Sequence, residues 1–183
     1  KMDSFSKHYL KNINNVDGFI LKTDSPSCGV RSAKIYPQKK NCAAIKKSSG
    51  FFASHILSMF PNYPIEEEKR LNNIFIREHF YTCIFTLSDF RTVKNINSLY
   101  SYHAKHKYLF MSYNQTLMKK MGGVAANQGN REFEYIRNRY CDLLLILLSK
   151  KSRYTSNINT QMHVMGYFKN KLSSNEKKHF LET

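Results

Sequence analysis

Acidic residues are scarce in this chain and unevenly placed: 13 Asp and Glu stand against 29 Lys and Arg, a formal charge of +16. No acid occurs between Asp24 and Glu66, or between Asp89 and Glu132. Stretches of that kind build a field that attracts phosphates, but charge alone carries no information about sequence or substrate. Long apolar runs are also missing. The longest purely aliphatic stretch is Leu143 to Leu148, far short of the roughly 18 residues a membrane-spanning helix needs. No charged-then-apolar leader opens the sequence, so a cytoplasmic setting is expected rather than secretion. The four cysteines, Cys28, Cys42, Cys83 and Cys141, show no paired spacing, which favours reduced thiols over a disulfide framework. There is no CxxC pair, no phosphate-cradling glycine loop, no nucleophile elbow, no internal repeat and no low-complexity tract.

What is present can bury a core, since 42% of the residues are hydrophobic and 14% aromatic. Ser4 to Asn12 reads as the end of a helix, broken by Asn14-Asn15. Val16 to Leu21 suits a short buried strand, and Ala33 to Tyr36 a second one. Between them lies the loop Thr23 to Gly29. Helix, strand and loop in this order are half of an α/β unit, in which ligands sit at the carboxyl ends of strands. Two strands alone make no stable sheet. The chain opens at Lys1 with no clear domain start and stops inside a helical pattern at Lys177 to Thr183, so further sequence is expected on both sides.

Pro37 to Lys47 reads as a basic linker, after which the pattern is helical. Phe51 to Phe60 is an apolar helix stopped by Pro61 and Pro64. Glu66, Glu67 and Glu68 suit the first turn of the next helix, where the macrodipole favours acids. Ile74 to Phe90 carries Ile76, Phe80, Ile84 and Leu87 at helical spacing. Ser98 to Tyr113 follows, with Leu99, Tyr102, His106, Leu109 and Tyr113 on one face. Gly122-Gly123 is expected to weaken or end a short helix. Asn130 suits an N-cap for a helix whose stripe is Phe133, Ile136, Tyr140, Leu144 and Leu147. Thr160 to Leu172 and Ser174 to Leu181 complete five or six helices. The expected fold is mainly α: an α/β segment with its linker over 1–47, then a helical bundle over 48–183.

The residue of most chemical interest is Cys28, in Ser25-Pro26-Ser27-Cys28-Gly29. Pro26 stiffens the loop, and hydroxyl and backbone donors lie near the sulfur, as a metal-bound or nucleophilic thiolate requires. A structural cysteine beside a turn is the alternative. His103 and His106, at i and i+3, are either hydrogen-bonded core histidines or phosphate contacts alongside Lys105 and Lys107. A third metal ligand is not evident near them. His163 is a further polar residue expected to point inward. Arg70, Arg77 and Glu78 form a charged set whose burial would make it structural.

Val16-Asp17-Gly18-Phe19-Ile20-Leu21-Lys22 followed by the Cys28 loop resembles the third cysteine motif of the thiouracil desulfidase family of iron–sulfur proteins. The remainder resembles the YbgA-like helical domain of unknown function, which occurs alone or fused behind a desulfidase domain. The matching stretches are Phe60-Pro61 with Pro64 and Glu66 to Glu68; Arg70-Leu71-Asn72 with Arg77-Glu78 and Phe80; Tyr102 to Leu109 with Met111; and Gln161-Met162-His163 with Gly166 to Lys169. The resemblance implies a 4Fe–4S cluster on three thiolates, with an open iron that takes the sulfur of a thiolated pyrimidine. Cys28 carries over as cofactor and metal ligand, with Ser25 and Ser27 as its catalytic loop neighbours. The family's other two cysteine ligands lie upstream of Lys1, so no assembled cluster and no activity are expected of this chain alone; the missing N-terminal portion of the same protein is its expected partner. His103, Lys105, His106, Lys107 and His163 are candidates for holding a substrate phosphate, from a thiolated pyrimidine nucleotide or RNA. The alternative is a non-catalytic basic helical module that binds tRNA or nucleotides; a decayed reading frame is a third reading.

Overall fold

The computed structural model describes residues 2–37 and 43–182. Cys42, Lys39 and Lys40, within the expected linker, lie outside the described residues. The chain forms two compact units, one up to Val93 and one from Lys94. The boundary expected after Lys47 falls inside the first.

The first unit is built on α1 (Met2–Lys11), β1 (Phe19–Leu21), β2 (Ala33–Ile35), β3 (Lys46–Ser48), α2 (Phe51–Met59), β4 (Ile65–Glu67), a 3-10 turn (Arg70–Asn72) and α3 (Ile74–Phe90). β1 and β4 pair in parallel, with Phe19 opposite Ile65 and Leu21 opposite Glu67. A parallel pair needs a crossover between its strands, and α2 lies in it. Leu10 of α1, Leu21 of β1, Ala53 and Ile56 of α2, and Val30 bury one apolar cluster that holds these elements together. β2 and β3 form a separate antiparallel ribbon.

Three sequence-based expectations change here. The stretch ending in Lys47 is not all linker, because Lys46–Ser48 is a strand. Glu66 to Glu68 do not begin a helix: Glu66 and Glu67 lie in β4, and α3 starts at Ile74 under an Asn73 cap that accepts from the Phe75 and Ile76 N–H groups. Parallel pairing with β1 outweighs the weak preference of consecutive glutamates for a helix start. Arg70, Arg77 and Glu78 form no buried set either. Arg70 and Glu78 are exposed, Arg70 pairs with Glu66 at 2.7 Å, and Arg77 donates to the Leu71 carbonyl at 3.0 Å.

The second unit holds α4 (Ile96–Tyr113), α5 (Gln115–Ala126), α6 (Phe133–Leu148), α7 (Tyr154–Phe168) and α8 (Ser174–Glu182). Asn95 and Ser98 form a reciprocal capping box at α4, and Asn114 caps α5. α4 packs on α5, α6 and α7, and α5 on α6. Leu99, Phe110, Met121, Tyr140 and Leu144 are its most deeply buried large residues. α5 runs through Gly122-Gly123 rather than ending there. Met118, Met121 and Ala125 bury one face across the glycines, and Asn127 closes the helix in the left-handed region at φ 44°. Asn130 is also left-handed, at φ 45°, so it is part of the turn, and Glu132 occupies the N-cap of α6. α7 begins at Tyr154, six residues before the expected Thr160.

Candidate functional site

The Cys28 loop leaves the carboxyl end of β1 and is fixed from four directions. Within it, the Ser25 hydroxyl oxygen accepts the N–H groups of Ser27 at 3.3 Å and Cys28 at 3.1 Å, and the Gly29 N–H donates to the Ser25 carbonyl at 2.9 Å. This closes a tight turn around Cys28. From α2, the N–H of Phe51 donates to the Pro26 carbonyl at 3.2 Å, and those of Phe52 and Ala53 to the Ser27 carbonyl at 2.9 and 3.0 Å. The first turn of a helix has unpaired N–H groups, and here the loop's own carbonyls satisfy them. No side chain caps α2.

Two consecutive glutamates, Glu67 at the end of β4 and Glu68 just after it, hold the loop, one at each end. Glu67, 3% exposed, accepts the N–H groups of Val30 at 2.6 Å and Arg31 at 3.0 Å and the Ser32 hydroxyl at 2.7 Å, all on one oxygen. Burial pushes its carboxyl up. The Arg31 N–H, the Ser32 hydroxyl and the Val30 N–H outweigh that and hold it below the usual carboxylate range. Glu68 takes the Thr23 N–H at 2.6 Å and the Thr23 hydroxyl at 3.0 Å. Its other oxygen lies 3.2 Å from the Lys22 ammonium, in ion-pair range without hydrogen-bond geometry. Desolvation raises the Glu68 carboxyl, but Thr23 and Lys22 prevail and bring it down to about 2. The fourth anchor is the apolar cluster of α1, β1 and α2, against which Cys28 packs.

Cys28 is a free, half-buried thiol. Its own N–H is spent on Ser25, so that donor does not serve the sulfur. Ser25 is a turn former, while the half-buried Ser27 keeps its hydroxyl without a hydrogen-bond partner among the described residues. No group of three or more His, Cys, Asp or Glu stands together to hold a metal ion among the described residues. Among the described residues the donor set at the loop is therefore one cysteine sulfur, enough for one corner of a metal cluster and not for a whole one.

The histidine candidates separate. His103 is half-buried, with Nδ1 2.9 Å from the hydroxyl of the fully buried Tyr140. Burial, then the nearby Lys107 charge, lowers its pKa, which favours the neutral imidazole hydrogen-bonded to the Tyr140 hydroxyl. Its other nitrogen faces Gly122 of α5. His106 is half-buried, stacks on Phe110 at 5.5 Å and leans on Tyr102 at 4.6 Å. Lys105 and Lys107 are exposed. His163 is exposed, not inward: among the described residues of α7 the buried one is Thr160.

Sequence reasoning missed Glu67 and Glu68 as parts of the loop. The signal was there in the acid gap, since Glu66 to Glu68 are the first acids after Asp24. A loop with several backbone N–H groups to satisfy and no acid after Asp24 draws one from elsewhere in the chain.

Residues 1–68 match the 2-thiouracil desulfurase family. Residues 107–183 match a family described as protein of unknown function (DUF1722). The two matches lie one after the other along the chain, without overlap. The desulfurase-like segment contains the whole Cys28 loop and ends at Glu68, so both clamping glutamates belong to it. The DUF1722 segment begins within α4 and includes Lys107 but not His103. A curated relative, "Uncharacterized protein YbgA" of Escherichia coli (strain K12), is 29% identical over 100 residues, which are 51% of this chain and 59% of the relative. The chain thus spans about three fifths of the curated relative it matches. No solved structure matches it.

Proposed function

We propose that the first unit carries one corner of an iron–sulfur desulfidase of thiolated pyrimidines, such as thiouracil or 4-thiouracil nucleotides. The reaction replaces the ring thiocarbonyl sulfur by the oxygen of water and releases sulfide. The observation that carries this reading is the clamped loop: Cys28 sits at the carboxyl end of a parallel strand, inside the segment that matches the desulfurase family. Cys28 is the thiolate this chain contributes, and Ser25 shapes the turn that presents it. Ser27 offers a hydroxyl beside it. The other thiolates come from sequence outside this chain, so the chain alone is inactive. The second unit supplies a basic surface for the substrate phosphate, with Lys105 and Lys107 the exposed candidates on α4.

The test is the iron content of the chain co-expressed with its upstream coding sequence and reconstituted anaerobically. Bound iron and a brown colour are expected, and both should be lost in Cys28→Ser. A colourless reconstituted protein, or iron unchanged in Cys28→Ser, sinks the reading.

A second reading is that the helical unit is a non-catalytic binder of tRNA or nucleotides. It is favoured by the exposure of Lys105 and Lys107 on α4 and of Lys119 and Lys120 on α5, which packs against α4. It requires RNA binding that weakens steeply with salt and survives Cys28→Ser.

A further inference from the structure

After Gly29 the chain makes an excursion from the Cys28 loop, described over residues 30–37 and 43–49, and is back beside the loop at Gly50. Its departure is held by the three donations to Glu67. Its return is held by the Gly50 N–H, which donates to the Gly29 carbonyl at 2.8 Å. Gly50 lies so close to Ser27 that a Cβ there would stand 2.4 Å from the Ser27 carbonyl oxygen. The regular part of the excursion is the β2–β3 ribbon.

The register of that ribbon is unusual. Lys34 stands directly opposite Lys47, and Lys46 opposite Ile35. Like charges directly opposed destabilise an antiparallel pair. Lys34, Lys46 and Lys47 are exposed and have no ion pair among the described residues, and Arg31 at the base is exposed too. The acid gap from Asp24 to Glu66 leaves the ribbon no acid of its own. Strand alternation puts Tyr36, 58% exposed, on the same face as Lys34, and Ile45, 68% exposed, on the same face as Lys47. One face thus presents two opposed cations beside an uncovered ring.

The geometry points to the β2–β3 ribbon as a binding arm for single-stranded nucleic acid, with Lys34 and Lys47 on the phosphates and Tyr36 as a stacking surface. A bound polyanion relieves the repulsion built into the register. An acidic protein surface would satisfy the lysines alone, whereas a nucleic acid strand also uses the exposed ring. The inference does not require Cys28 to be a cluster ligand, and it places nucleic acid contact in the first unit rather than on the helices.

The test is fluorescence anisotropy of the purified chain with a labelled, unstructured RNA of about 12 nucleotides, a length within the range of one such groove. Replacing both Lys34→Gln and Lys47→Gln should lower the slope of log affinity against log salt by about 1.4, two phosphate contacts at about 0.7 each. Tyr36→Ala should weaken binding about tenfold with the slope unchanged. Lys47→Glu gives the sharper signature. It should raise the thermal midpoint, because the Lys–Lys opposition becomes a Lys–Glu pair, while RNA affinity falls at least tenfold. Binding unchanged in the double variant overturns the inference. So does binding lost only in Lys105→Gln/Lys107→Gln, or polyglutamate competing as well as RNA. Cys28→Ser should bind RNA like the parent chain, so a failure here and a failure of the desulfidase reading are read on separate variants.

Discussion

Glu67→Gln isolates what a buried charge contributes to the Cys28 loop. The substitution keeps the shape of the side chain and an oxygen that can accept all three donors, but it removes the negative charge. A hydrogen bond to a charged group contributes about 1.5–3 kcal/mol net, and a neutral one about 0.5–1.5 kcal/mol. Three bonds, at 2.6, 3.0 and 2.7 Å, each lose about 1 kcal/mol. Recovered desolvation offsets part of that, which leaves a net loss of about 2 kcal/mol. If the loss falls on local opening, the open population rises about 30-fold. The assay is mass-resolved alkylation at Cys28, with the buried Cys83 of α3 as reference within the same unit. Alkylation of Cys28 should accelerate about 30-fold in Glu67→Gln at pH 7, relative to Cys83. The pH dependence follows from the lowered Glu67 carboxyl. Its stabilisation is fully present above the unfolded-state value of about 4.3 and is lost as pH falls through the lower folded value. The gap between parent and variant should therefore close on acidification. A gap independent of pH, or equal alkylation rates at pH 7, would refute the account of Glu67 as a charged anchor.

The second unit offers a paired test at neighbouring glycines. A Cβ at position 122 would stand 3.0 Å from Nε2 of His103, whose other nitrogen is tied to Tyr140, so Gly122→Ala should destabilise by about 1 kcal/mol despite its better helix propensity. Gly123 has nothing within 4 Å, so Gly123→Ala should stabilise by about 0.5–1 kcal/mol; urea midpoints of the two variants should move in opposite directions. Tyr140→Phe removes the hydroxyl hydrogen-bonded to His103 and should cost about 1–2 kcal/mol in the same titration. In the first unit, Gly50→Ala sets a methyl against the Ser27 carbonyl at 2.4 Å, and the backbone must move. Cys28 alkylation should then reach the rate of an exposed thiol, whereas an unchanged rate would show that the loop does not depend on this contact.

The helices were legible because their signals are local. α3 starts and ends where its apolar spacing says, and α2 stops before Pro61. The cap at α3 could be found only once Glu66 to Glu68 were excluded from it. Those glutamates were misread because their role is set by partners distant in sequence. Glu67 answers donors more than thirty residues upstream, and its strand exists through pairing with β1. Read locally, three acids after a proline satisfy the helix dipole rule, and nothing nearby argues otherwise. Gly122-Gly123 failed for the same reason. The cost of glycine in a helix is local, and the gain, room for His103 against α5, comes from a different helix.

The same distinction governs the site. Cys28 could be singled out because its loop carries its chemistry in five consecutive residues. The elements that hold the loop could not, since each is drawn from elsewhere: N–H groups from the first turn of α2, the carboxylates of Glu67 in β4 and of Glu68 just after it, and a glycine that closes the excursion. Fixing one turn from four sides restricts where its thiol can stand, and restriction of that kind is what ligation or catalysis needs before any chemistry begins. It also confines freedom of movement to what lies beyond the clamps. If so, a lysine pair opposed across the ribbon can be retained at little cost to the Cys28 turn, because the repulsion acts beyond Glu67 and Gly50. Lys47→Glu should accordingly leave Cys28 alkylation unchanged while it raises the thermal midpoint; a coupled change in Cys28 reactivity would mean that the clamps do not insulate the loop.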